Sequence, residues 1–446
     1  MKYKKFNTLF LTLSVVIFIL ITGCSSSPQP APQWKPLDVS NLTEPLNLEQ
    51  CLKLAQQNDM QLAQWKARLD IAYAELIDTR ALPNPAFGIT WDDVGLKDAE
   101  GVNIMSTEYG LSYPLFFWIA RDKKIAAAKA NRQAEIENVL FEQRQLTIDI
   151  ASSYFVLVAD QRKEKLIKNL LQIIEESMRL VNKQKELQLV SDYDVDRIRA
   201  EQLKTQSDLL DAQSQIRMDQ LAFAFAIGAD RPFYPVVVDC NDTFISLLND
   251  VISDENVPEP VIQEALQADP EWREKKSLVI AAENQLQVQQ REAFLSPDST
   301  VSGGPKDTAE GWGSIFSFEI PIPIFNWNKS GIRKAKAELA AVQAEEEKVR
   351  RNVIAKVSQA WQRYHSLNMR WTQYTKTLNE LAQKNEQAAS KLFTAGEIDY
   401  NDFLIAQRDN KQAQLDTLDT WLETSNAAWV LSCLLGQHDL PVDALH

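Results

Sequence analysis

Residues 113–118 read YPLFFW and residues 322–327 read IPIFNW, so a proline and a tryptophan recur at matching places 209 residues apart. Two further pairs of landmarks follow in the same order at almost the same spacing: Asp194 with Asp402 and Gly228 with Gly436, each 208 residues apart. Chance can supply one such match, but several in order at nearly one spacing indicate an internal duplication. The chain is therefore predicted to contain two halves with the same order of elements.

The duplication predicts how the chain is divided. Each repeat is expected to run through a helix, a β-hairpin, a very long helix, a tip and a further helix. The hairpins are expected at about residues 86–114 and 297–323, and the tips at about residues 188–195 and 394–402. The predicted segments are a signal peptide (1–23), a tether (24–44), repeat 1 (45–228), a connector (229–257), repeat 2 (258–436) and a tail (437–446).

Scarce glycine and proline point to long helices. The chain has 13 glycines and 18 prolines among 446 residues, which excludes an all-β protein with many tight turns and disfavours an enzyme with glycine-rich phosphate loops. Residues 115–227 contain neither. Within this run Leu166, Ile173, Leu180 and Leu187 lie seven residues apart, which is typical of a coiled-coil seam. A mainly α protein with a small β part is predicted.

The two hairpins are predicted from a period of two. Phe87, Ile89 and Trp91 alternate with small or polar residues, as in a strand with one apolar face. The return strand of the second hairpin alternates in the same way, whereas its outgoing strand, around residues 298–302, is weakly patterned. Two hairpins give four strands, and bacterial membrane barrels start at eight. If the hairpins enter a membrane, several chains must therefore combine; alternatively, both hairpins are soluble and pack on the helices.

Aromatic residues follow each hairpin directly, where a strand passes into a long helix. Such residues are enriched at the boundary between lipid and water. The side chains predicted to lie at a membrane interface are Phe116, Phe117, Trp118, Phe325 and Trp327.

The N-terminus has the pattern of a lipoprotein signal. Three lysines precede an apolar run over residues 9–21, and residues 21–24 read ITGC. This tetrad resembles a bacterial lipobox, in which the cysteine is lipidated, so Cys24 is predicted to carry lipid. An ordinary signal peptide with an incidental cysteine is the alternative.

Charge and chemistry exclude other classes. A formal net charge of −14 would repel nucleic-acid phosphate, so no nucleic-acid partner is expected. The chain has three histidines, no cluster with metal-ligand spacing and no recognisable nucleophile or phosphate motif. No catalytic site, metal site or cofactor is predicted, and the protein is not expected to be an enzyme.

The order of these features resembles the TolC-like outer-membrane efflux factor family, in its lipoprotein branch. Supporting motifs are LPNP at residues 82–85, the strand exits at Pro114 and Pro323, and GEIDYNDFL at residues 396–404. The short first hairpin loop is similar to heavy-metal-efflux members.

The resemblance implies a homotrimer with a 12-stranded barrel in outer-membrane lipid and an α-barrel tunnel that projects into the periplasm. It also implies a passive exit duct of an efflux or type I secretion system, with a periplasmic adaptor and an inner-membrane pump as partners. A structural or adaptor coiled-coil lipoprotein without a pore is the alternative. Metal ions, drugs and polypeptides all remain open as cargo.

The resemblance also assigns roles to the two tips. Asp402 and Asp194 match the tip aspartate of the family, and Asp399 lies three residues before Asp402. These three aspartates are expected at a pore constriction. The alternative is that the carboxylates only favour a helix N-terminus. The residues expected to dock an adaptor, or alternatively to pack within their own hairpin, are Val190, Ser191, Val195, Gly396, Ile398 and Phe403.

Overall fold

A computed structural model gives the structure of the chain. It describes residues 37–38, 42, 44–58, 60–92, 94–96, 99–101, 105–188, 190–240, 245, 256–308 and 311–437. The predicted signal peptide, the lipidation residue Cys24 and the last nine residues lie outside the described residues.

Repeat 1 follows the predicted order of elements. In chain order they are α1 (Leu48–Asn58), α2 (Met60–Arg80), β1 (Ala86–Asp92), β2 (Ser106–Pro114), α3 (Arg121–Glu186) and α4 (Asp192–Ala226). The first helix, predicted as one element, is described as α1 and α2 on either side of residue 59. Helix α3 has 66 residues, which corresponds to about 100 Å at 1.5 Å per residue.

Repeat 2 has the same order with one interruption. Its elements are α5 (Glu259–Ala268), α6 (Pro270–Glu292), β3 (Thr300–Thr308), β4 (Gly311–Glu319), α7 (Lys329–Gln373), a π-helical turn (Tyr374–Leu378), α8 (Asn379–Ala395) and α9 (Tyr400–Leu434). The π-helical turn divides a stretch that the sequence predicts as one uninterrupted helix.

The four strands form one antiparallel sheet in the order β1-β2-β3-β4. Ile89 pairs with Tyr109, Tyr113 pairs with Val301, and Val301 pairs with Phe318. Strand β3 extends to Thr308, beyond the predicted residues 298–302. The sequence did not reveal its full length because Gly303, Gly304 and Pro305 interrupt the alternation of apolar and polar residues. Strands β1 and β4 form the two edges of the sheet.

The main core lies about halfway along the long helices. Tyr154 and Phe155 of α3 pack there against Trp421 and Trp429 of α9. The connector joins this core through a bridge between Leu46 and Val237. The predicted mostly helical fold with a small β part is confirmed, and none of the described helices has the length and apolar character needed to span a membrane.

Candidate functional site

One face of the sheet is apolar and exposed. Because directly paired residues point to the same side, the register gathers the large apolar side chains of β1, β2 and β4, all but Ile315, on a single face. Phe87 is 64% exposed, and Phe316 is 77% exposed. This outer face of the sheet consists mainly of Phe87, Ile89, Trp91, Tyr109, Leu111, Tyr113, Val301, Trp312, Phe316 and Phe318. An exposed apolar surface of this kind suits contact with lipid or another apolar partner.

The opposite face of the sheet, the inner face, carries polar or small side chains except at Ile315. Gly88 pairs with Gly110, and Ser112 pairs with Ser302, so little side-chain volume covers the middle and one end of this face. Near the hairpin loops it carries three charges, Asp92, Glu108 and Lys306. The sequence prediction did not single out these residues, although Asp92 and Glu108 lie in phase with the small residues of their strands.

The predicted interface aromatics lie between the sheet and the long helices. Phe325 is 99% exposed, and Trp118 is 60% exposed. Phe117 packs edge to face on Tyr113 of the outer face, with ring centroids 5.5 Å apart. Trp327 contacts Phe294 in the same geometry. These rings form an exposed aromatic band next to the apolar sheet face.

The tip of repeat 1 uses Asp194 to begin helix α4. The Ser191 backbone N–H donates to Asp194 Oδ2 at 3.1 Å, the Ser191 hydroxyl donates to the same oxygen at 2.6 Å, and the Asp194 N–H donates to Ser191 Oγ at 3.3 Å. This is a reciprocal capping box. The Ser191 hydroxyl and N–H hold the pKa of Asp194 below its ordinary value.

The tip of repeat 2 begins its helix with a different residue at the N-cap. Asp399 stands 208 residues after Ser191 and is the N-cap of α9, where its Oδ1 accepts from the Asp402 N–H at 2.9 Å. Asp402 is exposed. In contrast to Asp194, its carboxylate makes no hydrogen bond within the part of the chain that the structure describes. Gly396 ends α8 with φ of 75°, in the left-handed conformation that glycine commonly adopts at a helix end.

An apolar cluster joins the two tips. Phe393 and Phe403 stack with ring centroids 4.8 Å apart and an interplanar angle of 7°. Phe403 is only 3% exposed, and Val190, Val195 and Ile398 are partly buried against the same cluster. Ser191 and Gly396 are exposed, as is Asp399 of the predicted pore constriction. The predicted docking residues therefore divide into a packed set and an exposed set.

The described residues do not bring together a set of metal-binding side chains. Among the described residues, no group of three or more histidine, cysteine, aspartate or glutamate side chains could hold a metal ion. Burial raises the pKa of the Cys51 thiol to about 12, which keeps it protonated and unreactive. The features that stand out are thus a two-sided sheet, an aromatic band and a pair of tips.

Comparisons with known proteins agree with this arrangement. Residues 51–229 and 261–437, well over half of the chain, match the family described as "Outer membrane efflux protein". The cobalt-zinc-cadmium resistance protein CzcC of Cupriavidus metallidurans is 23% identical over 407 residues, which cover 88% of this chain and 90% of the relative.

Two solved structures have the same fold. The structure of CusC has a TM-score of 0.72 at 19% identity and covers 91% of this chain and 99% of that chain. The structure of the outer-membrane channel OprN has a TM-score of 0.71 at 17% identity, with coverage of 93% and 95%. The duplicated pattern of the sequence, the two-sided sheet and the family match lead to one conclusion: the chain belongs to the outer membrane efflux protein family, as the sequence resemblance predicted.

Proposed function

We propose that three copies of this efflux protein close one 12-stranded barrel in the outer membrane and form the exit duct of a tripartite export system. The observation that carries the proposal is the sheet, which has an apolar outer face, a mainly polar inner face and two edge strands that pair on one side only among the described residues. Backbone groups on an open edge find no partner in lipid. Pairing of β1 of one copy with β4 of the next satisfies both edges and gives the barrel a water-filled lumen.

A crosslinking experiment tests the assembly. Ala86→Cys on β1 and Ser317→Cys on β4 place thiols on the inner face of the two edges, three strand spacings apart within one chain. A flexible bismaleimide is expected to join chains and to produce dimer and trimer bands. Ser112→Cys with Ser302→Cys, which are paired within one chain, is the matched control and should yield monomer. Absence of interchain bands from the edge pair, with a non-conducting monomer in bilayers, would contradict the proposal.

Lipid anchoring at Cys24 is a separate part of the proposal. It rests on the ITGC tetrad and on the basic and apolar segments before it. Intact-mass measurement of the purified protein is expected to show a diacylglyceryl and acyl modification that Cys24→Ser abolishes. An unmodified mature N-terminus would show that the anchor is absent.

The exposed tips are proposed as the docking surface for a periplasmic adaptor that links the duct to an inner-membrane pump. Ser191 and Asp399 occupy equivalent positions in the two tips and are exposed, whereas Phe403 is packed inside the tip cluster. Photo-crosslinkers at Ser191 and Asp399 are expected to capture the adaptor, and one at Phe403 serves as the buried control. Capture of neighbouring duct chains alone would count against docking at the tips.

Divalent metal cations are proposed as the cargo. This rests on the name of the relative CzcC, a cobalt-zinc-cadmium resistance protein, and on an acidic tip. In a trimer, three copies of Asp402 would form a ring that favours cations over anions. A deletion strain is expected to become sensitive to cobalt, zinc or cadmium and to regain resistance from a plasmid copy. Sensitivity to hydrophobic drugs with unchanged metal resistance would instead assign drugs as cargo.

A further inference from the structure

We propose that Lys306, Glu108 and Asp92 form a second charged ring at the loop end of the barrel, where Lys306 sets how strongly the external mouth attracts cations. The inference rests on the proposed trimeric barrel and adds a site at the end opposite the tips. Its three residues are here called the mouth triad.

The register of the sheet places the mouth triad on the inner face. Glu108 on β2 pairs directly with Lys306 on β3. On its other side Glu108 pairs with Thr90 of β1, and Asp92 lies two residues further along β1 on the same face. Direct neighbours on this face are Thr90 and Gly313, which are polar or small. The large apolar side chains belong to the other face, with the exception of Ile315, which pairs with Gly304. In a closed barrel the mouth triad would therefore face water.

Lys306 bridges both carboxylates. Its Nζ bonds to Glu108 Oε1 and also lies 3.6 Å from Asp92 Oδ2. To reach Asp92 the side chain crosses β2, since neighbouring strands are about 4.8 Å apart and β1 is two strands from β3. A lysine held between two carboxylates neutralises one of them. Each chain then contributes one net negative charge at this level, and three chains surround the mouth with the same arrangement.

The position of the mouth triad is set by the hairpins. Asp92 is the last residue of β1, and Ser106, its partner, is the first residue of β2. Lys306 lies two residues before the end of β3, and its hairpin closes with the pair Thr308 and Gly311. All three charges thus lie at the loop end of the sheet, whereas the tips lie at the opposite end of the molecule, beyond the long helices.

A multivalent cation applied from each side tests the proposal. Hexaamminecobalt(III) is added to one side of a bilayer that holds the full-length channel, and its half-blocking concentration is measured at about 0.1 M KCl, where the screening length is about 10 Å. Lys306→Met leaves both carboxylates uncompensated and is expected to strengthen block about threefold or more from one side only. Glu108→Gln is expected to weaken block from that same side.

The chain offers a matched control. Asp307 is the next residue on β3, is exposed and points to the outer face. Asp307→Asn therefore changes charge at the same height but outside the lumen, and its half-blocking concentration should equal that of the parent. Asp402→Ala identifies the tip side, because its effect is expected from the side opposite to that of Lys306→Met.

Each outcome decides something different. Unchanged block in both Lys306→Met and Glu108→Gln, or equal changes from both sides, would overturn the mouth triad while leaving the channel intact. If Lys306→Met does not assemble, Glu108→Gln and Asp92→Asn still test the proposal, with the opposite sign. If the parent protein conducts no ions, the proposed trimeric duct itself fails.

Discussion

At the residue scale, the two tips place aspartates in one helical turn but give them different hydrogen bonds. Asp399 accepts from the Asp402 N–H, so Asp399→Ala removes an N-cap and should lower the free energy of unfolding by about 1 kcal/mol. Asp402→Ala removes an exposed carboxylate that makes no such bond. We expect a smaller loss of stability together with a higher single-channel conductance and a weaker preference for cations.

Thermal unfolding in detergent and bilayer recording separate the two effects. Ile405→Ala, an exposed position one turn further along α9, is the control for removing a side chain near the tip. If conductance changed in Asp399→Ala but not in Asp402→Ala, the charge that acts in the pore would belong to Asp399, and the role expected of Asp402 would be wrong.

Gln188 offers a stabilising substitution. It stands 208 residues before Gly396 and has φ of 58°, against 75° at Gly396. A left-handed backbone is unfavourable for residues with a Cβ, whereas glycine adopts it readily. Gln188→Gly is therefore expected to raise the free energy of unfolding by about 0.5–1 kcal/mol, measured by urea unfolding. Gln343→Gly, at an exposed site inside α7, should lower it by about 1 kcal/mol.

The tips also show what residue types can and cannot reveal. Gly396 signals a left-handed helix end because glycine is the usual residue there, but Gln188 gives no such signal. The sequence left two roles open for Asp194, a pore constriction and a helix start. Its bonds to Ser191 favour the helix start, and that depends on hydroxyl and amide positions that a sequence does not specify.

At the scale of elements, the contact between the two hairpins depends on Gly304. A Cβ placed there would lie 1.8 Å from the carbonyl oxygen of Tyr109 on β2, so the strands would have to separate. Gly304→Val is therefore expected to abolish heat-modifiable assemblies in detergent extracts. Gly313→Val on β4 is the matched control, since its Cβ would meet no atom within 4 Å, and it should assemble normally. Equal yields from both variants would mean that β2 and β3 do not pair as described.

The strands also explain where pattern recognition fails. Alternating apolar residues revealed β1 and β4 because one face of each is lined by large side chains. Gly303, Gly304 and Pro305 remove that alternation from β3, although Gly304 permits the close approach of β2. The π-helical turn over Tyr374–Leu378 carries no glycine or proline, and its sequence is as compatible with an α-helix as its surroundings.

At the scale of the whole molecule, duplication explains why one chain supplies two hairpins and two tips. The repeat spacing predicted both copies, but it did not predict how they meet. The two hairpins pair through β2 and β3. The helices of the two repeats meet through contacts between α3 and α6. An efflux channel of this family thus needs a firm junction between repeats that are far apart in sequence.

A buried ion pair lies at that junction. Arg144 of α3 is 3.5 Å from Asp269 Oδ2 and donates to the Ala268 carbonyl oxygen at 2.9 Å. Asp269 also caps α6 by accepting from the Trp272 N–H at 2.9 Å. The side chains of Arg144 and Asp269 are 6% and 8% exposed. Burial raises the pKa of Asp269, whereas the Trp272 N–H and Arg144 oppose that rise.

Removing Arg144 should therefore destabilise the junction in a pH-dependent way. Arg144→Met leaves a buried carboxylate without its cation, and we expect the free energy of unfolding at pH 7 to fall by about 3–5 kcal/mol. A carboxyl whose pKa is higher in the folded state stabilises most below its unfolded pKa, and that contribution is lost as pH rises through the folded pKa. Arg144→Met should thus regain stability as the pH falls from 7 towards the pKa of an unfolded aspartate, about 4. Arg144→Met with Asp269→Asn keeps the cap but has no carboxylate to protonate at this position, so urea unfolding should show a smaller loss and a pH profile parallel to that of the parent. A profile parallel to that of the parent in Arg144→Met alone would mean that the ion pair does not hold the two repeats together.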